Sequence, residues 1–584
     1  MFQQDQTITK NQVLTWSRDL TFQDSKPYAI SPQVWVTCII VAITAICALA
    51  DTTDTTGQAT WPVERKKVVY LGRDMNNATA AELLRHADVI ARSGVDGVGF
   101  VANAINSSGK IVGNSAYVLD STEKWTHAMM SEQIPDFKKA LSHRGLRESF
   151  IWTISMPHGR RIDWKDDARW ECIAHNMGVI GWFIRETGLR GIYMDTEDYT
   201  KLDQFHRHNG DAPWEEMAVL ARKRAKQIFT PMFRENPDTV VLSLWFFTLE
   251  RRHSLSRDPM DSARSTNDLW PFFVNGILDA VPEKGRARLI DGNEWAYQYD
   301  AADNEFALSL AAQLDAQYGL VAPENRDTFR RCYRPGFGVY LMSYQNENKG
   351  KDAAYYYPEY KGSRLGYFER NLSDMVRYAG EYVWLWDDNY SWIKWDDMRK
   401  LPTGRWGVSR ESWNEKMPGV YSIVRACFNP EEFLRMDLPE LRKSGRMTNL
   451  VEGVDFLQKS RMAMQDSSKK SKGGKKEKGY LSYSITNVKP GSHYVIVAEG
   501  AGERICVVAA WRRTQPKGRV RHANWFDPGP VLPMKPIGGG RQRCADVVAV
   551  PEGADALTFW VDLLPEPGQD CYIDKVFIGE VPVK

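Results

Sequence analysis

Long apolar runs are scarce in these 584 residues. The one exception is VWVTCIIVAITAICALA, Val34 to Ala50. Its 17 residues fall short of the roughly 20 that span a bilayer, but they suffice for the apolar region of an export signal. It ends in the small-x-small triplet Ala48-Leu49-Ala50, so export with cleavage after Ala50 is the expectation, to an extracellular, periplasmic or cell-surface location. The alternative is that the segment stays in place as an anchor, the one route to a membrane. A surplus of either charge sign is also lacking, with 76 Lys plus Arg against 74 Asp plus Glu. That excludes nucleic acid as the main partner. The eight cysteines show no CxxC and no Cys/His ligand spacing, which excludes a structural zinc. Cys38 and Cys47 fall in the apolar run, and export would allow one disulfide among Cys506, Cys544 and Cys571. A serine nucleophile elbow, a phosphate loop and a dinucleotide fingerprint are all missing. No cofactor is therefore expected, beyond a structural calcium in the C-terminal part.

What is present is aromatic and periodic. The chain carries 21 Trp, which suits flat platforms against flat ligands. Eight short runs are apolar throughout, as strands buried on both faces are. They are VVYLG (68–72), VDGVGFV (95–101), SFIWTIS (149–155), RGIYMD (190–195), TVVLSLWFF (239–247), ARLIDG (287–292), FGVYLMS (337–343) and EYVWLW (381–386). Amphipathic stretches separate them, such as TAAELLRHADVIARSG with a capping box at Thr79 and Glu82. Strand and helix alternating eight times predict a (β/α)8 barrel over 66–446. The segments SGVDGVGF and TGLRGIYM share a Gly-x-x-Gly step just before a strand.

The character then changes. A basic Ser/Gly-rich segment, 467–479, predicts a solvated flexible loop, with an anion-binding tail as the alternative. From Tyr480 come short runs, YLSYSITNV, HYVIVAEG, RICVVAAW, ADVVAV, ALTFWVDL and CYIDKVFIGE, joined by Gly and Pro turns. They predict an all-β sandwich over 447–584, following a signal or anchor segment at 1–50, a linker at 51–65 and the barrel. NLVEGVDF (449–456), VKPGSHYVIVAEG and CYIDKVFIGE resemble the opening, a middle and the closing strand of the jelly-roll carbohydrate-binding modules attached to many secreted glycosidases. The resemblance implies a domain that binds sugar or serves as a structural partner of the barrel.

In such barrels chemistry sits at the C-terminal ends of the strands. There the sequence places Arg73 and Asp74 after the first strand, and His158, Arg160 and Arg161 after the third. Asp195, Glu197 and Asp198 follow the fourth, and Asp291, Glu294, Trp295 and Tyr297 the sixth. Trp384, Trp386, Asp387 and Asp388 end the eighth. Acids flanked by aromatics suit glycoside hydrolysis, which needs one protonated acid and one ionised carboxylate around a sugar cation. Asp195 and Glu197 are two apart, so both point the same way if the strand continues. Two close carboxylates raise one pKa and so prepare a general acid. Asp74, His158, Arg160, Trp295, Tyr297, Trp386 and Asp387 are the candidate substrate contacts. His158 with Arg160 and Arg161 would suit a sulfate or uronate. Asp387 and Asp388 would suit calcium or a sugar hydroxyl.

GLRGIYMDTEDY (188–199) also resembles the GxDGxDxDWE strand of family-18 glycosidases. Arg190 and Tyr193 replace two of its Asp, and Thr196 stands in place of its Trp. The resemblance implies that Glu197 donates the proton and Asp195 orients a substrate acetamide. Alpha-galactosidase-like and alpha-glucosidase-like barrels offer another assignment, with Asp195 as nucleophile and Asp291 or Glu294 as acid/base. The expectation is a secreted glycosidase acting on a poly- or oligosaccharide. The competing reading is a non-catalytic sugar-binding or envelope protein on a degenerate barrel. A polysaccharide lyase, with Tyr193, Tyr297 or His158 as base, is a third reading.

Overall fold

The computed structural model describes residues 65–583, apart from 77, 250–252, 254–255, 346–355, 397–410, 471–478, 503, 515–519, 523–529 and 565–569. The apolar run at 34–50 and its expected cleavage point lie outside the described residues. Among those described, no helix is long and apolar enough to cross a membrane.

The eight apolar runs form the wall of a closed barrel. Its strands are β1 (Lys67–Tyr70), β2 (Gly97–Phe100), β5 (Phe150–Ile154), β6 (Gly191–Asp195), β7 (Val240–Ser243), β8 (Arg288–Asp291), β9 (Tyr333–Pro335) with β10 (Phe337–Tyr340), and β11 (Tyr382–Trp386). A small hairpin, β3 (Asn103–Ile105) and β4 (Ile111–Asn114), is inserted after β2. All neighbours in the wall are parallel. The seventh strand is split at Gly336: β9 pairs with β8, and β10 pairs with β11, which closes onto β1. Gly336 N–H donates to the Asp291 carbonyl at 2.7 Å, and a Cβ there would lie 3.0 Å from that oxygen. The fifth run is shorter than expected. It leaves the wall after Ser243, whose hydroxyl turns onto the Trp245 carbonyl.

The repeated Gly-x-x-Gly step has one physical cause in both places. The first glycine ends a helix in the left-handed region, Gly94 at φ +93° and Gly188 at φ +85°. The second begins a strand with no room for a side chain. A Cβ on Gly97 would fall 2.1 Å from the Glu148 carbonyl oxygen, and one on Gly191 would fall 1.8 Å from that of Val240. Between them, Arg190 points to the barrel floor and ion-pairs with Glu148 at 2.7 Å. Lys67 bridges Glu381 at 3.1 Å and Glu148 at 3.7 Å, and the Tyr382 hydroxyl donates to Glu148 at 2.6 Å. Charges from the starts of several strands thus plug the N-terminal end. Above the plug, Val69, Leu71, Phe150, Tyr193, Leu242, Ile290 and Trp384 fill the lumen.

The C-terminal unit is a sandwich of two antiparallel sheets. One contains β12 (Gly479–Thr486), β19 (Ala556–Leu563), β14 (Ile505–Thr514), β15 (Val520–His522) and β16 (Val531–Leu532). The other contains β17 (Lys535–Gly538), β18 (Arg541–Ala549), β13 (His493–Ala501) and β20 (Tyr572–Glu580). NLVEGVDF does not open it as a strand. The segment turns, and the Asp455 side chain accepts from Gln458 N at 2.8 Å, capping a helix over Phe456–Lys470. That helix takes the first residues of the expected flexible loop, and 471–478 lie outside the described residues. None of the six cysteines from Cys172 to Cys571 is joined in a disulfide. Barrel and sandwich share an apolar core through Val495, Phe577, Val581 and Val583. Polar clamps flank it: Arg370 grips Glu552 with two bonds of 2.8 Å, and buried Lys361 bridges Glu369 at 3.1 Å and Glu580 at 2.7 Å. Glu369 also accepts from the His493 backbone N–H at 3.0 Å.

Candidate active site

At the end of β6 the chain stops being a strand. Asp195 Oδ1 accepts the Glu197 backbone N–H at 2.9 Å, an Asx-type turn. It is this turn, rather than strand alternation, that brings Glu197 back to the side of Asp195. Tyr199, four residues on, turns its hydroxyl onto both carboxylates, 2.9 Å from Asp195 Oδ2 and 2.5 Å from Glu197 Oε2. A phenol carries one proton, so it serves one carboxylate at a time. The remaining oxygen contact is relieved when a carboxyl of the pair is itself protonated. Burial pushes Asp195 up to about 7, helped by the Glu197 charge; burial also raises Glu197. Trp152 Nε1 is turned toward Asp195 but lacks a hydrogen bond of normal geometry, and its ring lies parallel to Tyr193 at 6.0 Å. The third acid of this stretch does other work. Asp198 accepts Asp203 N–H at 2.7 Å and Leu202 N–H at 3.2 Å, folding the loop.

Glu294 arrives from β8 by a different device. Gly292 is pinned against the Ser243 carbonyl, where a Cβ would fall 2.5 Å away. Asn293 follows in the left-handed region at φ +41°, and a short 3-10 turn, Glu294–Gln298, begins. Burial raises the Glu294 carboxyl well above the usual range, and the Glu197 and Asp195 charges raise it further. Its Oε2 is buried without a hydrogen bond of normal geometry, and the Tyr297 hydroxyl nearby opposes the rise. Two strands thus bring three mutually repelling carboxyls together at the barrel mouth. Asp388 adds a fourth charge to their field, itself paired to Arg73 Nε at 2.9 Å and approached by the Tyr340 hydroxyl at 3.3 Å. The Arg73 charge opposes the rise at Glu197.

Three expected site acids are removed from the mouth. Asp291 is fully buried with both oxygens taken, by Thr248 Oγ1, Thr248 N–H at 3.1 Å and the Tyr333 hydroxyl at 2.8 Å. It braces Thr248, whose carbonyl accepts Trp295 Nε1 at 3.0 Å, and so orients that ring without meeting a ligand. Asp74 is fully buried and accepts Trp392 N–H at 2.9 Å and Trp395 Nε1 at 3.0 Å; burial lifts it to about 6. Asp387 accepts the Asn389 and Tyr390 N–H groups beneath the surface, and burial lifts it to about 8. The anion trio also divides. Arg161 is spent on Asp211 at 2.9 Å and the His206 carbonyl at 2.7 Å, Arg160 is exposed, and His158 packs edge-on against Tyr117. The aromatics stay at the mouth. Trp295 tilts against Trp245 at 6.0 Å, Tyr297 stacks on Tyr340 at 5.4 Å, and Trp386 is half-buried beside them.

A cavity of about 340 Å³ opens beside Glu197, inside the range of roughly 300–1,000 Å³ of small-molecule sites. Thr196, Tyr199, Trp245, Trp270, Trp295 and Phe205 line it. Arg73 and Asp388 stand at the strand ends where the sequence placed them, whereas Tyr199 and Trp245 were not among the site residues read there. Tyr199 was legible as the end of the DTEDY cluster, whereas only the fold brings Trp245 into the mouth. Among the described residues no three His, Cys, Asp or Glu side chains gather as metal ligands. The donor set fits acid/base chemistry by carboxylates.

No family model matches the chain, and no curated protein matches it in sequence. Solved structures to which it is similar include the alpha-amylase from Geobacillus thermoleovorans complexed with acarbose, at 9% identity over 85% of this chain and 99% of that one, with a TM-score of 0.32. A glucosidase from Croceicoccus marinus is 10% identical over 81% and 91%, with a TM-score of 0.33. Eubacterium rectale Amy13B is 8% identical over 86% and 96%, with a TM-score of 0.37. Likeness of this degree assigns no activity to the chain. The architecture rests on its own strand pairing, a closed parallel barrel followed by an antiparallel sandwich.

Proposed function

We propose that the barrel hydrolyses glycosidic bonds of an oligo- or polysaccharide, with Glu294 as the protonated general acid and Glu197 as its ionised partner. The observation that carries this reading is the electrostatic separation of the two groups. Burial and two acidic neighbours raise Glu294 well above the usual carboxylate range and so favour its protonated form, whereas Glu197, also raised by burial, lines the cavity with Tyr199 and Arg73 opposing that rise. Hydrolysis needs these two states, one to protonate the leaving oxygen and one to attack the sugar carbon or activate water. Asp195 is 2% exposed and each of its oxygens accepts a hydrogen bond, so it is read as a positioning group that holds the Glu197 backbone and the Tyr199 hydroxyl. This reverses the assignment of Asp195 as nucleophile. The Tyr199 bridge favours a second reading, in which Glu197 donates the proton and Asp195 orients a substrate acetamide. Against it stand the burial of Asp195 and the hydrogen bond that each of its oxygens already accepts. The sandwich would add polymer binding through the exposed pair Tyr480 and Trp560, whose rings lie 5.8 Å apart on its outer face. Export directed by residues 34–50 belongs to the same proposal, and N-terminal sequencing of the mature protein tests it.

A reducing-end release screen on neutral, N-acetylated and sulfated glycans tests the activity. Glu294→Gln and Glu197→Gln are each expected to lose about 10²–10⁴-fold, and Asp195→Asn less. A fully active Glu294→Gln, with cleavage confined to N-acetylated glycans, would move the assignment to the second reading. No cleavage of any glycan would leave a sugar-binding scaffold.

A further inference from the structure

The cavity beside Glu197 carries more information than the carboxyls alone. Among the described lining residues there are four acids, Glu197, Asp198, Asp203 and Asp268, and neither Lys nor Arg. The cations nearby are already neutralised, Arg161 by Asp211 and Arg73 by Asp388, and the His253 ring sits against Asp268 at 3.0 Å. Among the described lining residues His206 is the one basic side chain. Two buried polar atoms in the same lining have no partner. Trp245, 9% exposed, leaves its indole Nε1–H unbonded, and Thr196, 2% exposed, leaves its hydroxyl unbonded. An unpartnered buried donor is costly unless a ligand meets it. Trp245, Trp270, Trp295 and Phe205 supply flat apolar faces.

Resting on the glycosidase reading, we infer that this cavity holds an uncharged sugar residue, with Trp245 Nε1 and Thr196 Oγ1 binding its hydroxyls, and rejects uronate and sulfated residues. The donors match hydroxyl oxygens, the rings match the C–H face of a pyranose, and the acids repel anions. Asp198 and Asp268 have oxygens committed to backbone N–H groups and to His253, so they contribute field rather than contacts. The same field opposes the sulfate or uronate pocket expected from His158, Arg160 and Arg161.

The test is calorimetric titration of Glu294→Gln, with Glu197→Gln as a second inactive background. The probes are neutral gluco-, galacto- and manno-oligosaccharides, their C6-oxidised uronates and their sulfated forms. Cleavage of the same panel by the wild type runs in parallel. The expected result is binding of at least one neutral series, with its anionic forms at least tenfold weaker. Trp245→Phe keeps the ring and Thr196→Val keeps the shape. Each is expected to weaken neutral binding about 3- to 10-fold, the size of one hydrogen bond, with unchanged melting temperature. Anionic forms binding as well or better, no binding at all, or both variants binding as the wild type does would overturn the inference. Cleavage of the anionic series would overturn it while leaving the hydrolase reading intact. Neutral binding without any cleavage by the wild type would do the reverse.

Discussion

Tyr199 exerts leverage out of proportion to its place on a loop. Its single proton is shared between Asp195 and Glu197, and it holds both carboxyls lower than burial alone would. Tyr199→Phe removes that donor. The acid limb of the kcat/KM profile is therefore expected to shift to higher pH, with kcat falling about tenfold, as stopped assays across pH 4–9 would show. An unmoved limb would separate the phenol from the titration. Asp387 gives a stability prediction of definite sign. Burial raises its folded-state pKa to about 8, from the 3.8 of an ordinary Asp. Its protonated form therefore favours the fold, a contribution that is full below about pH 3.8 and is lost progressively as pH rises from there through 8. Asp387→Asn keeps an acceptor for the two N–H groups but carries no charge. Its melting temperature is expected to change little at about pH 4 and to exceed that of the wild type increasingly toward about pH 9. Asp74 and Asp387 show where reading the chain alone reaches its limit. Asp387 directly follows β11 and Asp74 comes four residues after β1, yet the loop after β11 folds over one and inward with the other. Neither spacing nor residue type announces that.

The strands themselves were legible, all eight of them, because a strand covered on both faces must be apolar throughout. Less legible was the interruption at Gly336, since the apolar run 337–343 begins after that glycine, whereas Tyr333–Pro335 before it, with Arg334 and Pro335, does not read as a strand. NLVEGVDF, likened to the opening of a jelly-roll module, turns, and its Asp455 caps a helix that begins at the next residue, Phe456. The Gly-x-x-Gly joint makes the sharpest claim at this level. Gly191→Ala places a methyl carbon against the Val240 carbonyl where the β6–β7 pair is closest, and the alanine is expected to lower stability by about 3 kcal/mol or more. Gly210→Ala, whose Cβ meets nothing within 4 Å but whose φ is +92°, should cost only the left-handed strain of about 1 kcal/mol. Urea denaturation of the two side by side separates crowding from backbone strain.

At the scale of the whole chain, barrel and sandwich are held by a shared apolar core and by buried charge. Glu369 and Lys361 are 0% and 7% exposed in their side chains. Glu369→Ala leaves Lys361 its ion pair with Glu580 but strands the His493 backbone N–H, and is expected to cost about 1–3 kcal/mol. Glu369→Met with Lys361→Met should recover most of that loss in thermal melts. The floor of the barrel carries a different consequence. Lys67, Glu148, Arg190 and Glu381 seal its lower end, so the lumen offers no back exit. Whatever enters at the mouth must leave by the mouth. On the proposed hydrolysis, a cleaved fragment seated against Trp245 and Trp295 would stand in the doorway of the next substrate, and turnover would be timed by how quickly that fragment clears the threshold.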